Sequence, residues 1–371
     1  MIDPRYEALA KVLIEHSCAL GPGDKVLIDA IDVPTEFATT LMRTAVAAGA
    51  HPVVQVKNQR IHRQLLHHAS EEQLGIVRAA EIALMSRVDA YVGVRGNDNV
   101  SELSDVPPDK MRRYEEQVWK PVHMDIRVPK TRWVVLRWPS PSMAQLAEMS
   151  TEAFEDFYFR VCTMDYAHLH EAMQPLKELM ERTDRVRLVS QGTDLSFSIT
   201  GIPAICCSGQ RNIPDGEVFT APVRDSVEGT IQFNTPTIYQ GVTHNDVRLT
   251  FRDGRVVDST SSEPEHLRSV LDTDEGARYV GEFAIGLNPH VTKPMKDILF
   301  DEKIGGSIHF TPGAAYDEAF NGNRSQIHWD LVLRMDPAQG GGEVYFDDTL
   351  VRKDGRFVLP ALEPLNPENL A

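Results

Sequence analysis

The sequence predicts an α/β protein in two parts, an N-terminal doubly wound α/β domain followed by a β-rich α+β domain. Three observations carry that expectation. Short apolar runs alternate with amphipathic stretches through the first half, the pattern of a parallel sheet covered by helices. From Val186 onward strands and tight turns replace that alternation. The length of 371 residues also exceeds the roughly 250–300 that a single hydrophobic core usually serves.

In the first half a helix is expected near residues 4–18, then a strand in KVLIDA, a helix over 35–48 and a strand in PVVQV. A helix near 70–86 and strands in DAYVGVRG and RWVVLRWP follow. A ligand of such a sheet lies beyond the C-terminal ends of its strands. The first strand, however, runs into Asp29-Ala30-Ile31-Asp32 rather than a glycine-rich phosphate loop, which argues against a nucleotide. Residues 142–182 read as helical, and in STEAFEDFYF either Ser150 or Thr151 can cap a helix whose acidic first turn holds Glu152. The polar run ERTDR ends this region and divides the chain into domains 1–184 and 185–371.

In the second domain GTDLSFSITG alternates Leu195, Phe197 and Ile199 on one strand face. Two hairpins are expected at Asp253-Gly254 and Asp354-Gly355, because Asp-Gly accepts the positive φ of a two-residue turn.

With 38 basic and 54 acidic residues the formal charge is −16, so the surface as a whole repels nucleic acid and anionic lipid, and neither is expected as a partner. No apolar run reaches the ~18 residues of a membrane span, and the N-terminus lacks a basic segment followed by an apolar one, so a cytoplasmic protein is expected. The four cysteines show no CxxC spacing, which argues against a disulfide framework or a thiolate zinc site. The pair Cys206-Cys207, in the apolar run IPAICC, reads as buried structural thiol.

The chemistry concentrates in residues 301–330, DEKIGGSIHFTPGAAYDEAFNGNRSQIHWD. His328 and Asp330 lie two apart in the strand candidate QIHWDLVL, so both face the same way, about 7 Å apart along the backbone. His309 and Tyr316 flank the turn at Pro312-Gly313. Glu302 precedes the glycine pair Gly305-Gly306 and reads equally well as a surface carboxylate paired with Lys303. Upstream, Glu217 and Glu282 each follow a glycine and precede an apolar segment. Glycine permits close backbone approach, and a carboxylate buried among apolar neighbours needs a cation. Together these residues offer four carboxylates and two imidazoles without thiolate, a donor set suited to zinc, cobalt, manganese or magnesium. Six donors exceed what one tetrahedral ion needs, whereas two divalent ions about 3.5–4 Å apart would use them all in hydrolysis.

These residues resemble the metallo-aminopeptidase family typified by aminopeptidase T and aminopeptidase S. The matching stretches are GTDLSFSITG, PDGEVFTAP, FRDGRVVDST, GEFAIGLN, FDEKIGGSIHFTPGAAY and NRSQIHWD, with PSMAQLAEMSTEAFEDFYF upstream. The resemblance implies metal-binding or catalytic roles for Glu217, Glu282, Glu302, His309, His328 and Asp330, and a catalytic role for Tyr316. It also implies two divalent metal ions, short peptide substrates with a free N-terminus, and a homodimer. Glu282 or Glu302 would carry the proton from water to the leaving amine, and Tyr316 would either ligate a metal or stabilise the oxyanion. The chain departs from the family in the longer separation of Glu302 from His309, and in Thr311-Pro312, which is expected to reshape the substrate pocket. Two other functions remain open at this point: an iron-dependent ring-opening dioxygenase of the dihydroxypyridine type, and a non-enzymatic metal or peptide binder. The intact Glu217 motif and the His309 to Tyr316 segment argue against the first.

Overall fold

The computed structural model describes residues 3–370, which form two compact units. One runs to Thr163 and includes Gly209–Ile213; the other comprises Met164–Ser208 and the chain from Pro214 onward. The division thus falls some twenty residues before the expected boundary at 184/185. The cause is the helix Tyr166–Arg182, which buries Leu169, Met173, Leu176 and Met180 against strands Ile205–Cys207 and Glu217–Thr220 and the turn Pro360–Leu365 of the second unit.

The first unit is built on a parallel sheet in the order His51–Lys57, Lys25–Ile31, Ala90–Arg95, Arg132–Arg137 and Asn212–Ile213. Building outward from the first strand in both directions makes the sheet doubly wound. Val26 to Ala30 are all buried, as a strand covered on both faces requires. Helices Thr35–Ala47 and Glu71–Met85 lie where expected, the latter capped by Ser70. Two further helical stretches were not anticipated, Gln59–His68 and the run from Pro108 to Lys130. Pro121 lies inside the second, and an internal proline obscures the helical pattern in a sequence.

The second unit pairs an eight-stranded antiparallel sheet with a five-stranded one. The smaller runs in the order Leu331–Arg334, Ser307–Pro312, Val280–Gly286, Glu217–Thr220 and Ile205–Cys207. Its Phe283 and Phe310 meet Phe197 of the larger sheet at centroid distances of 5.0 and 5.1 Å, and Phe251 lies 5.8 Å from Phe310. Each such side chain, fully buried, contributes about 1.5–3 kcal/mol. Both expected hairpins form, with φ of 49° and 75° at Asp253 and Gly254, and 49° and 79° at Asp354 and Gly355. Among the described residues no helix is long and apolar enough to cross a membrane.

Candidate metal centre

Side chains alternate along a strand, so the inward turn of Phe283 and Phe310 sends their neighbours to the opposite face. Register then gathers the site. Glu282 pairs with Thr311 and Ala284 with His309, while Gly286 pairs with Glu217, and Glu217 with Cys207. On the other side His309 pairs with Val332. One face of the five-stranded sheet therefore presents Glu217, Glu282 and His309 together, and Asp330, just ahead of the strand Leu331–Arg334, joins them through its hydrogen bond from Thr311.

Two glycines make this possible. Gly281 lies so close to the carbonyl of Ala314 that a Cβ would meet its oxygen at 2.2 Å, and the strand register shifts there, a bulge that re-aims the next side chain, Glu282. Gly216 has φ 130° and passes close to Asn288, delivering Glu217 at the start of its strand.

His309 Nε2 lies 2.9 Å from Glu282 Oε1 and 3.6 Å from Glu217 Oε2. His328 Nε2 lies 3.2 Å from Asp330 Oδ1 and 3.5 Å from Glu282 Oε2. Two donor groups result, Glu217-Glu282-His309 and Glu282-His328-Asp330, each with ligand atoms within 4.8 Å of one another, and Glu282 belongs to both. Glu302 forms a third such group with His309 and Asp330. Six of the residues singled out from the sequence thus converge. Tyr316 stands at their edge, half-exposed, its ring 4.6 Å from that of His328 and 5.7 Å from Phe219.

Several sequence expectations change here. His328 does not belong to a strand: it forms an isolated bridge to Gly313, and the strand begins at Leu331. Glu302 is not a solvated carboxylate, because its partner Lys303 is 2% exposed and pairs with Glu302 at 2.7 Å, with Glu217 at 2.6 Å and with Asp215 at 3.6 Å. Thr311 is buried and donates its hydroxyl to Asp330 Oδ1 at 2.7 Å, so its role is to hold a site carboxylate. Cys206 and Cys207 are free and half-buried rather than buried. Lys303, Asp215 and Thr311 were not identified from sequence as site residues.

The electrostatics match a cation seat. Buried Glu217 Oε2, Glu282 Oε2 and His309 Nδ1 have no hydrogen-bond partner, and leaving such an atom unpaired costs about 1–3 kcal/mol. Burial raises the Glu282 carboxyl. It also pushes Glu302 up to about 8, against the pull of the Lys303 ammonium and with a further push from Glu217. Burial disfavours the imidazolium form of both histidines, yet Glu217 and Glu282 hold His309 at about 9, and Asp330 and Glu282 hold His328 at about 10. Asp330, although buried, is held well below the usual carboxylate range, chiefly by His328. Burial and the carboxylates of Glu282 and Asp330 keep the Tyr316 phenol protonated. His328 Nδ1 lies 2.8 Å from the Ala314 carbonyl and so carries a proton, which directs Nε2 toward the site as a ligand nitrogen. A divalent ion fits these residues: hard carboxylates, two imidazoles and unpaired buried oxygens are its donor set, and its uptake displaces protons from the imidazoles.

The sequence matches the family model described as thermophilic metalloprotease (M29) over residues 2–357. Aminopeptidase PepS of Streptococcus thermophilus is 26% identical, with 90% of this chain and 94% of the relative covered. The solved structure of wild-type AmpT from Thermus thermophilus superposes with a TM-score of 0.79 at 25% identity, covering 97% of this chain and 100% of that one. The 2,5-dihydroxypyridine dioxygenase of Pseudomonas putida KT2440 matches with a TM-score of 0.60 at 14% identity over 97% of this chain and 98% of that one, a likeness of fold alone.

Proposed function

The chain belongs to the thermophilic metalloprotease family (M29) and is a metal-dependent aminopeptidase, and from that premise we propose that it removes the N-terminal residue of short peptides at a centre for two divalent cations. The observation that carries this reading is the sharing of Glu282 between two donor groups. Glu217, Glu282 and His309 would hold one ion, and Glu282, His328 and Asp330 the other. When bound, such a pair supplies Lewis-acid polarisation of the scissile carbonyl and a nucleophilic water at neutral pH.

The chain's own groups perform the remaining steps. Both oxygens of Glu282 face histidines, so Glu302 is the better proton carrier. Its carboxyl, pushed up to about 8, is matched to take a proton from water and return it to the leaving amine near neutral pH. Tyr316, protonated and half-exposed beside His328, donates a hydrogen bond to the tetrahedral oxyanion, a contact worth about 2.7–4 kcal/mol in comparable sites. The Thr311 hydroxyl fixes Asp330. The catalytic domain is accordingly the C-terminal one, and zinc, cobalt, manganese or magnesium all suit its donors. The family resemblance further supports a homodimer. The dihydroxypyridine dioxygenase shares the fold alone with this chain, and the non-catalytic binder gains no support from these relatives.

The test is metal analysis of the purified protein alongside a panel of aminoacyl chromogenic substrates with free and acetylated N-termini. Hydrolysis of the free forms alone, abolished by a chelator and restored by cobalt or zinc, is expected. No turnover by metal-replete protein on any free substrate would overturn the reading.

A further inference from the structure

We propose that Lys303 is a positioning residue of the metal centre: its buried ammonium grips Glu217 and Glu302 by one oxygen each and so presents Glu217 Oε2 to the cation shared with Glu282 and His309. The inference rests on the two-cation reading above. An ammonium carries three N–H donors, and three carboxylates surround this one, at 2.6 Å (Glu217 Oε1), 2.7 Å (Glu302 Oε1) and 3.6 Å (Asp215 Oδ1). Glu217 Oε1 is thereby taken, while Oε2 has no hydrogen-bond partner and lies 3.6 Å from His309 Nε2. Without the ammonium, Glu217 is free to rotate and its charge repels that of Glu302.

The scaffold around Lys303 is fixed by Asn288, whose amide donates to the Lys303 carbonyl at 2.9 Å and whose side chain donates to the Asp215 carbonyl at 2.9 Å. The Tyr166 hydroxyl accepts from the Asp215 amide at 3.1 Å. Cys207, Asp215 and Glu217 also form a metal-type donor group by residue type, but the Lys303 ammonium lies against two of its three members and serves as their cation.

The experiment is calorimetric titration of metal-stripped full-length protein with cobalt, comparing wild type with Lys303→Met and reading the visible cobalt spectrum in parallel. Wild type is expected to bind two ions per chain. In Lys303→Met one ion should bind about 10–100-fold more weakly, the range typical for loss of an outer-sphere partner, while the other stays within about threefold; kcat should fall with little change in KM. A role in folding alone would lower the melting temperature and leave both affinities unchanged, and that result, or an equal loss at both positions, would overturn the proposal. If circular dichroism shows that Lys303→Met does not fold, Lys303→Gln, which keeps a hydrogen-bond donor, is read by the same criteria. Asp215→Asn provides a further arm: both ions should bind within about threefold of wild type, and loss of one would make Asp215 a ligand instead. Wild type that takes up fewer than two ions would remove the two-cation reading itself, before any variant is compared.

Discussion

Glu282 Oε1 lies 2.9 Å from His309 Nε2 across two neighbouring antiparallel strands, although register sets His309 opposite Ala284 and Glu282 opposite Thr311. The contact is a diagonal one on the sheet face, and it leaves Glu282 Oε2 directed at His328, 3.5 Å away. One carboxylate therefore joins two donor groups.

Glu282→Gln should lose both metal ions and lower activity by more than the ~100-fold that outer-sphere changes cost. Metal content by plasma emission spectrometry checks it; two retained ions would contradict the shared role.

Glu302→Gln should retain both ions yet lower kcat by about 10²–10⁴, the range for loss of a general base. Loss of an ion together with activity would make Glu302 a ligand.

Tyr316→Phe tests the oxyanion role assigned to that phenol. As an oxyanion donor its loss lowers kcat by about 10²–10³ and leaves metal content unchanged. Reduced metal content would instead assign it to the coordination sphere.

Metal removal should make stability fall with rising pH. In the metal-free protein His309 and His328 titrate at about 9 and about 10, against an ordinary value of 6.5. Groups with raised folded-state values contribute stability that is complete below the unfolded value and lost as pH rises through the folded one. Glu302, raised to about 8, acts in the same direction. The melting temperature of stripped protein should therefore decline between about pH 4.5 and 10, with Glu302 contributing from about 4.5 to 8 and the two histidines from about 6.5 to 10, whereas the loaded protein should be much less affected. A flat or rising profile for the stripped protein would contradict the assigned imidazolium-carboxylate pairs.

Much of this centre was legible because its acids are out of place. Glu217 and Glu282 each follow a glycine and precede an apolar segment, and the structure gives each glycine a steric reason. His328 and Asp330 were placed together by their spacing, although the backbone between them is not strand. Lys303 escaped notice because Glu-Lys in a sequence resembles a solvated pair, and only the closing of the sheet brings Asp215 and Glu217 to its ammonium. Thr311 has no sequence signal for its bond to Asp330, since that contact depends on register between strands. The domain boundary moved because amphipathicity in helix Tyr166–Arg182 reveals that one face is buried without revealing against what.

Anomalous diffraction from cobalt-soaked crystals measures the central claim most directly. Two peaks about 3.5–4 Å apart, on either side of the Glu282 carboxylate, are predicted. A single peak, or peaks away from Glu282, would contradict the account.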